Sequence, residues 1–323
     1  IGLDQDGQVI FIRIAGSKLK TVLPLLLDGK IQSSNLLKTT QLPDYKLLNY
    51  PWELIPLNGS AIIDDFKYFK TRPDFISKED LKIGITGDPE LLWISFNTKI
   101  EKFVEINTEN GPVIIDTGSE IHSFTRIEGP AYIGKKCRLL GAKIRGGTSL
   151  FENCRIGGEV EESIFFGNSN HYHHGFIGHS IIGEWVNVGA LTATSDLKNN
   201  YGKIKMETGY GSVQTEQIKI GSIIGDFTKL GIGTLLNTGS ILGVSANVFN
   251  GGIQPKFIPS FSWGGGNEFS EYDPKKGIET NKIIMERRRQ NWTTALEELY
   301  KKAFELTSEE RKSFFRKYER KEK

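Results

Sequence analysis

The chain is poor in the residues that would make several fold and function classes easy to assign. Its 323 residues hold two cysteines, two methionines and 11 prolines. Cys137 and Cys154 lack the C-x-x-C spacing of a zinc knuckle or redox pair, so two buried thiols in a reducing cytoplasm are expected. An excess of one charge is missing too. With 41 basic against 39 acidic side chains, net +2, nothing marks a dedicated nucleic-acid surface. Long apolar runs are absent: none approaches the ~18 residues needed to cross a bilayer, and "TVLPLLLDG" (21–29) is far too short. No membrane span and a cytoplasmic location are therefore expected. No signal peptide is visible, although a chain that begins with Ile1 leaves its targeting open. What is abundant is glycine, 36 residues without the G-X-Y period of collagen.

The glycines follow a repeat. An aliphatic residue recurs every six positions at Ile115, Ile121, Ile127, Ile133 and Leu139, and after a one-residue slip at Ile144, Leu150 and Ile156. The period resumes at Ile182 and Val188, then at Ile218, Ile224, Leu230, Leu236, Leu242 and Val248. Glycine often comes next, as in "IGEW", "IGDF" and "LGVS". Six matches neither the 3.6 of a helix nor the 2 of a strand. It fits a triangular parallel β-helix, in which each side takes six residues, the aliphatic residue points inward and glycine permits the corner. The fold expected is mainly β, with this β-helix over 111–250.

The flanking segments are of other kinds. Residues 1–66 read as the remnant of an α/β domain, with strand-like "QVIFIRI" (8–14) and a linking helix in "NYPWELIPLNGSAIIDDF" (49–66). Residues 67–110 read as a linker and entry, and 251–280 as a glycine-rich exit. C-terminal helices are expected over 281–323, with a capping box from Thr307 to Glu310 opening the second. The run "ERRRQ" reads as a solvated or interface face rather than a phosphate site.

Chemistry is expected where the repeat is interrupted. The first interruption, 159–176, holds "NHYHHGF" with His171, His173 and His174; the second, 192–217, is polar and bears glycine. The two lie close along the axis and are expected to converge on one groove. The histidines are open to three readings: exposed loop imidazoles, zinc ligands, or a general base. Zinc needs a third ligand, and beyond the cluster the chain offers only His122, so no metal is expected.

The third reading rests on a resemblance. "HHGFIGHSIIGEWVNVGALTATSDLKNNYG" (173–202) resembles the acetyltransferase signature of the bifunctional UDP-N-acetylglucosamine diphosphorylase/glucosamine-1-phosphate N-acetyltransferases. It is more similar still to a divergent bacterial branch of putative sugar nucleotidyltransferases, through "YPWELIPLNG" (50–59), "NTGSILGVSANVF" (237–249) and "FIPSFSWGG" (257–265). The resemblance implies a left-handed β-helix, homotrimeric packing and an acetyl-CoA-dependent N-acetyltransferase acting on an amino-sugar phosphate or nucleotide sugar. His173 would be the general base, with His174 as the alternative one position on. Asn200 and Tyr201 by motif, or Asp196 by counting, would be the second catalytic group. Arg145 would meet the sugar phosphate, and Asn187 and Phe176 would contact the sugar. Gly189, Ala190, Gly231 and Gly233 would contact the cofactor. The alternative is a sugar-1-phosphate nucleotidyltransferase whose β-helix only oligomerises or regulates it. Residues 1–49 hold no Gly-rich phosphate loop, so uridylyl transfer, and the magnesium it needs, is expected only of a longer chain. A non-catalytic scaffold is the third class.

Overall fold

A computed structural model describes residues 48–76 and 83–319, with 2–3, 9–11, 13, 16–27 and 40–41 from the N-terminal stretch. The chain forms two units, Ile1–Asn49 and Tyr50–Lys323. In the first, Gly2–Leu3 pairs antiparallel with Val9–Phe11 and parallel with Thr40–Gln41, and helix α1 spans Gly16–Leu27. Most of the rest of residues 1–47 lies outside the described residues.

The second unit is built on a three-sided parallel β-helix. Sheet 1 runs from Gly84–Thr86 to Gly252–Ile253 and sheet 2 from Leu92–Ile94 to Phe257–Ile258, each with nine strands. Sheet 3 begins at Lys99–Ile100 and has ten strands, the last, Glu268–Glu271, antiparallel to Ser262–Gly265. The six-residue period becomes three inward rows. In sheet 2 one row stacks Ile115, Ile133, Leu150, Phe165, Ile182, Ile224, Leu242 and Ile258. Ile224, Leu230, Leu236, Leu242 and Val248 are each no more than 3% exposed. Each such side chain contributes roughly 1.5–3 kcal/mol by leaving water.

The structure changes three details of the repeat. Ile218 is 49% exposed, and its neighbour Ile220 is buried instead, so the regular rows resume only at Ile224. The histidine segment is no interruption: Glu159–Glu161, Ile164–Phe165, Asn170–His171 and Phe176–Gly178 stack in register, with Val160, Phe165, His171 and Ile177 facing inward. The eye misses the period there because one inward residue is histidine. The glycines after the aliphatic residues also act differently from expectation. Gly183, Gly189, Gly225 and Gly243 are not the residues at positive φ; Trp185, Leu191, Phe227 and Ser245, two positions on, are. The glycines are needed because neighbouring coils touch: a Cβ on Gly189 would sit 2.6 Å from the Gly231 carbonyl carbon.

One face and one edge of the prism are covered. Helix α2 (Ile55–Phe69) lies on sheet 2, with Ile62 and Phe66 against Trp93 and Ile114. The excursion after Thr194 folds back over the same sheet as a hairpin, Lys205–Thr208 with Gly211–Gln214, and buries Ile204, Met206 and Ile220 beside Trp52 and Ile55. Helices α3 (Pro274–Arg287), α4 (Thr294–Leu306) and α5 (Ser308–Glu319) cover the edge between sheets 2 and 3, where Met285 and Tyr300 pack on Trp185, Phe227 and Phe261. Thr307 does not cap α5 as expected; its hydroxyl donates to the Ala303 carbonyl and accepts from Arg311. The outward side chains of sheet 1 form the open face: Glu105, Arg126, Lys143, Glu159, Phe176, Ala193, Leu235 and Ile253 all retain exposure. Among the described residues no helix is long and apolar enough to cross a membrane.

Candidate active site

The sequence-predicted residues fall on the two long edges of that open face. At the edge from sheet 3 to sheet 1 the corner 172–175 carries His173 and His174, and the next coils place Gly189–Ala190 and Gly231–Gly233 beside it. The stacking is direct, since Leu191 N–H donates to the His174 carbonyl (2.6 Å) and Gly233 N–H to the Ala190 carbonyl (2.8 Å). At the other edge, from sheet 1 to sheet 2, lie Arg145, Asp196, Asn200 and Tyr201. Asn187 sits on the outer row of sheet 3 and accepts from Asn170 (3.3 Å). The expected groove therefore does not close within one chain, because the histidine corner and the excursion stand on opposite sides of sheet 1.

The imidazoles are sorted by surroundings. His171 is fully buried under Gly158 and Gly175, whose missing side chains make room for the ring, and neither ring nitrogen has a hydrogen-bond partner. Burial pushes it down to about 4, so it is neutral at ordinary pH. His179 is the opposite case. It is 4% exposed, with Nδ1 2.7 Å from Asp196 Oδ2 and Nε2 3.2 Å from Glu162 Oε2. Burial works against its charge, but the hydrogen bonds to Asp196 and Glu162 outweigh it and lift His179 to about 9. Both carboxylates are in turn held below their ordinary values, with Lys219 assisting. His122, on the same edge as His173 but three coils earlier, pairs with Glu101 at 3.0 Å. His173 and His174 are exposed, and His173 meets only the edge of Tyr172.

Of the nominated cofactor contacts, the N–H groups of Gly189, Gly231 and Gly233 are spent on Leu230, Val248 and Ala190 carbonyls, whereas Ala190 N–H has no partner among the described residues. Arg145 is half-exposed, with Glu128 at 3.7 Å and Glu159 at 3.5 Å. It lines a cleft of about 360 Å³ with Gly146, Gly147, Asn110, Glu161 and Glu162. Phe176 is half-buried; a Cβ on Gly178 would lie 2.6 Å from both its ring and Asp196 Oδ2, so ring and carboxylate converge above that glycine. Asn200 binds its own turn through Gly202 N–H (3.1 Å), and Tyr201 is exposed. Asp196, found by counting, is thus the one of the three joined to a histidine. Among the described residues no cluster of three or more His, Cys, Asp or Glu side chains is arranged to hold a metal.

The stack Glu162, His179, Asp196 was not read from the sequence as a unit. Its members are 17 residues apart, one coil, so they stack along the edge with alternating charge, while the pair Glu128 and Arg145 lies one position off, since a 16-residue coil puts Arg145 in register with Glu161. That spacing is the signal that would have found His179 and Glu162.

Interleaved aliphatic-glycine coils on three parallel sheets define the protein as a hexapeptide-repeat β-helix. Comparison by sequence places it further. It is 36% identical over 238 residues to the bifunctional protein GlmU of Methanococcus aeolicus, covering 69% of this chain and 50% of that protein. It is 34% identical over 154 residues to the bifunctional sugar-1-phosphate nucleotidylyltransferase/acetyltransferase of Sulfurisphaera tokodaii, covering 46% and 38%. It is 35% identical over 129 residues to GlmU of Sphingopyxis alaskensis, covering 38% and 28%. No family model matches the chain. The chain is therefore a relative of the bifunctional sugar-1-phosphate nucleotidyltransferase/acetyltransferases, and it spans half or less of the length of these relatives.

Proposed function

We propose that the β-helix is an acetyl-CoA-dependent N-acetyltransferase acting on an amino-sugar phosphate, with His173 as general base. The observation that carries this reading is the sorting of the histidines. Inside the prism His171 has no reachable nitrogen and at the edge His179 is held as a cation, which leaves the exposed pair His173 and His174 to take a proton. In the reaction the sugar nitrogen attacks the thioester carbonyl carbon and loses its proton to the imidazole. The carbonyl oxygen gains negative charge, and the C–S bond then breaks to release the CoA thiol, which takes up a proton. Ala190 N–H, unpaired and one coil from the histidine corner, supports a place for that oxyanion. Exposed Leu191 and Ile232 line the same edge, with Ile253 on the adjoining open face, and suit the apolar part of a pantetheine arm.

Arg145 suits a phosphate, where its planar fork matches two oxygens. Its present pairs are half-exposed and worth little, so a phosphate displaces them at small cost. Arg145 lies two coils before His173 and across sheet 1, on the order of 14 Å of backbone away at standard strand spacing. A sugar phosphate that meets both groups is better served by His173 of one chain and Arg145 of a neighbour, and this favours a homotrimer with sites between subunits. The test is paired substitution with glucosamine 1-phosphate and acetyl-CoA. His173→Ala should lower kcat by ~10² or more with the acetyl-CoA KM nearly unchanged. Loss in His174→Ala instead would move the base by one residue. Full turnover in both variants would sink the acetyltransferase reading.

A further inference from the structure

A second groove, of about 640 Å³, lies on the other side of sheet 3 from the histidine corner, where the end of α3 meets the edge between sheets 2 and 3. Its cations are Lys136, Arg138, Arg155, Arg287, Arg288 and Arg289, and they face only two carboxylates, Glu120 and Glu152. Those two are already engaged, Glu120 with Arg138 (3.2 Å) and Glu152 with Lys136 (3.1 Å). Four cations are left without a carboxylate partner among the described residues. Arg138 and Arg155 are register partners on adjacent strands, an arrangement of like charges that is unfavourable in an empty site. Arg155 Nε is buried with no acceptor. Arg288 forms the floor: its guanidinium donates to the Asn153 carbonyl and Oδ1 (both 2.9 Å) and to Asn170 Oδ1 (2.6 Å), all neutral acceptors. Burial and the neighbouring Arg155, Arg138 and Arg287 push Arg288 down to about 10, the mark of a cation held without an anion.

We infer that this groove is a binding site for a small anion with two or more linked phosphates, such as inorganic pyrophosphate or a nucleoside diphosphate. Arginine forks match phosphate oxygens bidentately, and four cations without a carboxylate partner exceed the roughly two charges that a single phosphate monoester brings. The volume falls in the range of small-molecule sites, about 300–1,000 Å³. The lining holds no aromatic ring to stack on a base, so the phosphates and not the nucleoside carry the recognition. The site is separate from the acetyl-transfer reading and does not depend on it.

Calorimetric titration of the whole chain with pyrophosphate, ADP and inorganic phosphate tests the inference, with a duplex DNA as the fourth arm. Pyrophosphate and ADP should bind within about threefold of each other, and inorganic phosphate at least tenfold more weakly. The exposed double variant Arg287→Ala/Arg289→Ala should weaken pyrophosphate at least tenfold without changing the melting temperature, and Arg155→Gln should do the same. Should Arg155→Gln fold poorly, the double variant carries the test alone. Equal affinity for phosphate and pyrophosphate, binding untouched by the double variant, no pyrophosphate binding at millimolar concentration, or DNA binding with the same sensitivity to the variants would each overturn it.

Discussion

His179→Asn isolates the clamp at the edge of sheet 1. The residue lies at φ 45°, a conformation that asparagine tolerates better than most side chains, so the exchange removes charge with little backbone penalty. In the wild type His179 rises from 6.5 to about 9, which corresponds to an upper limit of roughly 3 kcal/mol. Glu162 is 45% exposed, and solvent screening on that side reduces the expectation to about 1–2 kcal/mol. The sign follows from the direction. A raised histidine stabilises fully below pH 6.5, and the contribution is lost as the pH climbs through about 9. The lowered carboxylates act at the other end: their contribution is present above 4.5 for Glu162 and 3.8 for Asp196, and fades as the pH falls through their depressed values. Urea unfolding with reduced thiols, in steps from pH 6.0 to 9.5, gives the curves to compare. Buried Lys229, lowered by burial to about 8, titrates in both proteins and cancels in the difference. Relative to the variant, the wild type should lose about 1–2 kcal/mol across the range. Near neutral pH the variant should be about 2 kcal/mol less stable, because Asp196 and Glu162 then face each other without their shared cation. Parallel curves would refute the account of the clamp.

Three other perturbations have definite outcomes. His171→Leu places an apolar side chain in the row of Ile156 and Val188; because His171 is lowered to about 4, the wild type loses stability as the pH falls from 6.5 toward 4, and the variant should lose less in acid melts. Leu242→Ala, at 1% exposure in the sheet 2 row, should cost about 2–5 kcal/mol in denaturant unfolding, and a cost under about 0.5 kcal/mol would contradict the packing. Light scattering at micromolar concentration should report three chains per particle, and a monomer would count against sites shared between subunits.

Most of the fold was legible because a β-helix writes its period into the chain at fixed spacing. Ile224 to Val248 shows this in its simplest form, with one aliphatic residue for each side of the prism. The reading failed where a polar residue takes an inward place. His171 and Thr194 interrupt two rows; the first is accommodated by Gly158 on the preceding coil and Gly175 in its own corner, and the second by donation from Gly178 N–H (3.1 Å). A hydrophobic period cannot register either, since their acceptability depends on neighbours one coil away. The covering elements were readable only as helices. That α2 lies on sheet 2, and the C-terminal helices on the next edge, follows from which outward residues are large and apolar, such as Trp93, Ile114 and Trp185.

The sequence nominates candidate residues but not their arrangement, and the reason is geometric. Motif reading joins residues that are near in sequence, so it joined His173 to the excursion that begins some twenty residues later. In a β-helix, nearness runs by coil. Residues 17 apart stack, while residues three to six apart lie on different sides or edges. Applied to charged residues, the same spacing that revealed the core yields Glu162, His179 and Asp196 as one column, with the pair Glu128 and Arg145 one position off it. It also makes Asp196, rather than Asn200 or Tyr201, the partner of a histidine. That column gives the edge opposite His173 a fixed charge pattern, and it anchors the root of the excursion through Asp196 and Lys219. On the proposed reading, a sugar phosphate approaching this edge would meet Arg145 between two carboxylates, and its phosphate would exchange with Glu128 and Glu159. Neutralising Glu128 by Glu128→Gln should therefore lower the KM for the sugar phosphate about threefold or more, with kcat little changed. An unchanged KM would place the phosphate elsewhere on the open face.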